Sequence, residues 1–272
     1  MDHIPEPPGS PRLFHPRTAS EILGDAFALY GRHWRNLIAT VAVIVVPLSV
    51  LQVVVIDLLL GDAFAGDPAE VADTSVAAAV LGSLVVAAAT VLMWALVTGA
   101  ITRAAAGTFL GRDLDVRESY RYGLARFWSI LLVGVLSALA IAAGFIALVI
   151  PGFFIFTRLT CAMAALVIEG RRGRSALSRS WNLVAGRGWP VFGTIFVAGL
   201  LTGIVGTILT APFGDNFVAR AVGQSLASVI TTPYMSLVSI LIYLDLRVRK
   251  ESYSPAGLDQ DLAQNAAPRR DD

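Results

Sequence analysis

Five stretches of this chain hold no Asp, Glu, Lys or Arg for 20 residues or more: 37–56, 76–102, 127–157, 188–214 and 221–244. A helix crosses ~30 Å of hydrocarbon with ~20 mainly apolar residues. Helices of water-soluble domains average ~11–12 residues and keep a polar face. Runs of this length and number therefore read as an all-helical integral membrane protein. Composition agrees: 56% of residues are hydrophobic and 15% charged, against ~25% charged in soluble domains. The net charge of +1 and the single cysteine, Cys161, point to neither nucleic acid nor a disulfide framework.

The order of the runs predicts six spans, at about 37–60, 76–101, 128–150, 152–169, 190–211 and 223–245, within a membrane domain over 18–250. The block from Phe127 to Ile168 carries one charge, Arg158, and is too long for one crossing. Pro151-Gly152 is the expected turn within it. Residues 1–17 hold five prolines and predict a disordered tail. No signal-peptide pattern is present there. The charged stretch 251–272 predicts a second disordered tail.

Orientation follows from arginine, because short cytoplasmic loops collect basic residues. With both termini inside, 19 of the 21 basic residues are cytoplasmic, Arg158 and Arg220 excepted, and the loop 61–75 with its four acids is outside. This reading places the chain in the cell membrane as a multi-pass protein.

Three polar segments precede apolar runs and predict cytoplasmic interfacial helices. The first opens with Thr18 and Glu21 at capping-box spacing. Its apolar positions Ile22, Leu23, Ala26, Phe27, Tyr30 and Trp34 fall on one side. The second follows Asp115, and the third spans 171–189. Each ends in a similar step: Arg32-His33-Trp34, Arg126-Phe127-Trp128 and Arg187-Gly188-Trp189. An aromatic stands seven or eight residues upstream of each Trp, at Phe27, Tyr120 and Trp181. The pattern predicts three units, each a surface helix plus a helical hairpin. Trp favours the headgroup level, and Arg beside it reaches phosphate or water. Arg32, Trp34, Arg126, Trp128, Arg187 and Trp189 are therefore candidate interfacial anchors.

Arg158 is the candidate intramembrane polar site. It falls seven residues past the expected outer turn, so ~10 Å into the membrane. A charge at that depth is costly and must find carbonyls, phosphates or a wet cavity. Two readings stand: a structural arginine, or a contact for an anion or headgroup. The inventory for catalysis is thin. His3, His15 and His33 all lie in the first 33 residues, and no nucleophile motif, phosphate-binding lysine or metal-ligand spacing occurs. No cofactor is expected.

The segments "DAFALYGRHWRNLIATVAVIVVP" (25–47), "SALSRSWNLVAGRGWPVFG" (175–193) and "PYMSLVSILIYLDLRVRKES" (233–252) resemble the membrane domain found with some bacterial glycerophosphoryl diester phosphodiesterases and in stand-alone bacterial proteins. The best markers are Ala-Leu-x-x-Ser-Trp and the closing Tyr-x-Asp-x-Arg-x-Arg-Lys. The resemblance implies a multi-span helical domain without the catalytic barrel of those enzymes. The expected function is non-enzymatic: a structural or accessory membrane protein engaging lipid or a membrane protein partner. The alternative is a small transporter or lipid-handling protein with Arg158 in a polar cavity.

Overall fold

A computed structural model describes residues 15–64, 76–109, 116–214 and 217–266. Ten α-helices follow one another: α1 Ala19–Phe64, α2 Val76–Thr108, α3 Val116–Ala125, α4 Phe127–Ala147, α5 Val149–Leu159, α6 Ala162–Glu169, α7 Arg174–Val184, α8 Gly188–Thr210, α9 Phe217–Glu251 and α10 Pro255–Ala266. No strand occurs among the described residues. Five helical segments are long and apolar enough to cross a membrane: Ala19–Leu51, Phe127–Ala147, Val149–Glu169, Gly188–Phe213 and Ala219–Glu251. The remaining expected span, 76–101, falls on α2. The acidic loop falls mostly, and Asp115 wholly, outside the described residues.

α1 starts at the expected capping box. The Thr18 backbone N–H donates to Glu21 Oε2 at 2.7 Å, and the Glu21 N–H to Thr18 Oγ1 at 3.4 Å. The segments expected as surface helix and first span join into one 46-residue helix with a single non-helical residue, His33, at φ −116°, ψ 16°. Arg126 joins α3 to α4 at φ −115°, ψ 14°. Arg187 leads into α8 at φ −129°, ψ 24°. All three sit close to the bridge region, and Trp34, Trp128 and Trp189 follow by one, two and two residues. Hairpin partners pack together in each unit: α1 on α2, α4 on α5, α8 on α9. The threefold sequence pattern thus has a threefold backbone counterpart.

The α4–α5 turn comes earlier than Pro151-Gly152. Leu148 is extended, and Pro151 lies in the first turn of α5, where its missing N–H costs no helical bond. The hairpin closes tightly there. A Cβ on Gly144 would stand 3.0 Å from the Gly152 Cα, and one on Gly152 would stand 2.5 Å from the Phe145 ring. The helix expected as the fourth span is also broken, at Thr160-Cys161. Ser180 of α7 enters the break: its Oγ donates to the Arg158 carbonyl at 2.7 Å and accepts the Cys161 N–H at 3.1 Å. A hydroxyl inserted into the ladder accounts for the interruption.

The core centres on the second half of α9, where Leu237, Ile240, Leu241, Ile242, Tyr243 and Leu244 are fully buried against α1, α2 and α6. The disordered tail expected over 251–272 is corrected for residues 255–266, and 267–272 lie outside the described residues. Residues 255–266 form α10, which buries Leu258 and Leu262, each worth about 1.5–3 kcal/mol of transfer free energy. Arg17, assigned to the N-terminal tail, is likewise buried. Its backbone N–H donates to Asp245 and its side chain pairs with Asp25 at 3.0 Å.

Candidate functional site

The closing motif of α9 divides into two polar faces. Tyr243, Arg247 and Glu251 share one face at intervals of four. Tyr243 donates to Glu169 Oε1 at 2.6 Å, and Arg247 reaches Glu251 at 2.9 Å and Asp261 of α10 at 2.7 Å. Glu169 also takes Arg171 at 2.7 Å and Arg179 at 2.8 Å, so it links α6, α7 and α9. Asp245 and Arg249 form the other face, paired at 2.8 Å, with the Arg17 carbonyl on Arg249. Asp245 is therefore paired by Arg249, while Arg247 serves the first face. Tyr253 donates to Asp261 at 2.7 Å, and burial followed by that bond pushes its phenol up, which keeps it a donor at neutral pH.

The three joints use their residues differently. Trp34 is 50% exposed, Trp128 77% and Trp189 85%, so all three rings face outward as anchors would. Arg32 is exposed beside Trp34, and Arg187 is half-buried. Arg126 is turned inward at 8% exposure. It lies 5.0 Å from the Tyr122 ring and donates to the Asn265 carbonyl at 3.3 Å. Arg103 stands over the same ring at 5.1 Å and donates to the Leu262 carbonyl at 3.2 Å. Two guanidiniums thus hold the carbonyl end of α10, the negative end of its dipole. Arg126 is occupied by the protein rather than by solvent or headgroup.

Arg158, near the end of α5, forms part of a cleft of about 500 Å³ between α5 and the α7–α8 joint. Its guanidinium is 4.9 Å from the Phe154 ring and 5.3 Å from the Trp181 ring, and Nη1 donates to the Trp181 carbonyl at 3.1 Å. Its Nε is buried without a hydrogen-bond partner. Phe154 and Trp181 meet edge to face at 5.7 Å. Phe153 packs on Phe192 at 5.7 Å, and Phe192 on Trp189 at 6.2 Å. Nearby, the Lys250 Nζ caps α7 by donating to the carbonyls of Asn182 and Ala185.

The structure sets Arg158 against the third joint. Phe153 is one turn past the α4–α5 turn and Phe192 one turn past the third joint, yet their rings touch. The start of α5 therefore approaches the start of α8. α5, with 11 residues, is only ~16 Å long, so one cleft reaches from Ile150 to Trp189. Arg158 belongs with the third joint. Sequence reading singled out Arg158 and Trp189 separately. It missed the aromatic wall of Phe153, Phe154 and Phe192, which sits inside an apolar run and looks like any core segment. It also missed Glu169 as a hub.

Chemically, the cleft is one cation at the side of an aromatic wall. It suits an amphiphile that brings an anionic group to Arg158 and an apolar body to the rings. Among the described residues no cluster of His, Cys, Asp or Glu could hold a metal ion. No family model matches this chain, and no curated protein or solved structure matches it either.

Proposed function

We propose that this chain is a non-enzymatic, multi-pass cell-membrane protein that engages anionic lipid through the Arg158 cleft. In this reading α2 is the sixth span, both termini are cytoplasmic, and the start of α1, α3 and α7 lie at the membrane surface. The uneven distribution of arginine supports that orientation. The resemblance to the phosphodiesterase-associated membrane domain belongs to the same proposal, with an accessory role toward a membrane protein partner.

The carrying observation is the guanidinium of Arg158 over two adjoining aromatic rings, with a buried Nε lacking a hydrogen-bond partner, at the edge of an apolar cleft. Reconstitution in nanodiscs of phosphatidylglycerol or phosphatidylcholine tests the proposal. Native mass spectrometry should find phosphatidylglycerol retained on the wild type and lost on Arg158→Gln, with partial retention on Arg158→Lys. Equal retention of both lipids by wild type and Arg158→Gln would refute the assignment.

A further inference from the structure

A second recess, of about 300 Å³, lies between α2, α6 and α9 and shares no lining residue with the Arg158 cleft. Its lining includes seven hydroxyl side chains and no charged group. The state of those hydroxyls distinguishes it. Threonines in apolar helices satisfy themselves by bonding back to a carbonyl one turn earlier. Most in this protein do so: Thr40 on Asn36, Thr157 on Phe153, Thr194 on Pro190, Thr202 on Ala198 and Thr207 on Gly203, and within the recess itself Thr160 on Phe156 and Thr231 on Ala227. Among the described residues, the threonines that make no hydrogen bond are Thr98, Thr102 and Thr232, and all three line this recess together with the equally unbonded Ser236. Thr102 is only 5% exposed.

The spacing is regular. Thr98 and Thr102 are one turn apart on α2, and Thr232 and Ser236 one turn apart on α9, so each wall presents two hydroxyls ~5–6 Å apart. Ser239, from the same face of α9, donates to the Thr160 carbonyl at the α5–α6 break and closes the floor. We propose that this recess binds an uncharged polyhydroxylated solute, of polyol or monosaccharide size. A charged ligand would find no countercharge, and an apolar one would leave buried hydroxyls unpaired. Each Ser or Thr both donates and accepts, which matches ligand groups that do the same. The volume is at the lower end of small-molecule sites.

The test uses the full-length protein in nanodiscs with xylitol or glucose as probe and betaine at equal osmolality as control. At ten times the dissociation constant, xylitol or glucose should raise the melting midpoint about 3 °C above the betaine value. The near-isosteric double variant Thr98→Val, Ser236→Ala should lose that increment. In a second measurement Ser236→Cys is labelled with methyl methanethiosulfonate, the native Cys161 being fully buried. Xylitol or glucose should slow labelling, and betaine should not. Shifts no greater than with betaine, an increment unchanged in the double variant, or labelling unaffected by either probe would each overturn the proposal. None of these variants touches the Arg158 cleft, so this result and the lipid result are independent.

Discussion

Ser180 is a single hydroxyl that bridges two ends of a broken helix, donating to one and accepting from the other. It is fully buried, so removing it strands the Arg158 carbonyl and the Cys161 N–H. Ser180→Ala should cost about 1–3 kcal/mol, read as a lower unfolding midpoint in detergent. Gly144 makes a different demand, since a Cβ there would press on the Gly152 backbone at 3.0 Å. Gly144→Val should cost about 1–3 kcal/mol by overpacking the hairpin, measured by the same melt. Sequence motifs pointed toward residues of this kind: Ser180 and Trp181 sit in the Ala-Leu-x-x-Ser-Trp segment. Their roles were not legible, because the partners of Ser180 are backbone groups 19 and 22 positions away.

At the scale of elements, α10 shows how a polar segment becomes ordered. Its sequence, "PAGLDQDLAQNA", has too few apolar residues to predict a stable helix alone. Leu258 and Leu262 nonetheless share one face and are buried. Asp261 meets Arg247 and Tyr253, and Asn265 donates to the Ile168 carbonyl at 2.6 Å. Leu262→Ala should cost about 2–5 kcal/mol locally and raise amide hydrogen exchange across α10. Arg247→Ala removes a countercharge from Asp261 and Glu251, the latter keeping Arg179, and should destabilise by about 1–3 kcal/mol, read from thermal unfolding. The joints show the converse case. Their Arg-x-Trp steps were visible in sequence, and the matching dihedrals at His33, Arg126 and Arg187 give that pattern a backbone form. That Arg126 faces α10 depends on a helix more than a hundred residues away.

For the whole molecule, reporter fusions test the proposed topology. A reporter at Arg174 should be cytoplasmic, and one in the α8–α9 turn at Gly214 should be on the opposite side; both on one side would reject a crossing by α8. The all-helical class and the long apolar segments were legible in sequence alone, because runs of 20 or more uncharged residues have few stable homes outside a bilayer. Arginine placement, capping at Thr18 and the threefold joints were local signals of the same kind. Tertiary structure decided what those signals could not carry: the break in the fourth span, the docking of α10, the inward turn of Arg126 and the meeting of Arg158 with Phe154 and Trp181. The physical reason is common to all four. Hydropathy reports transfer of each residue from water, a property of the residue itself. A cleft, a cap or a hydroxyl left unbonded depends on which distant side chain or carbonyl arrives beside it.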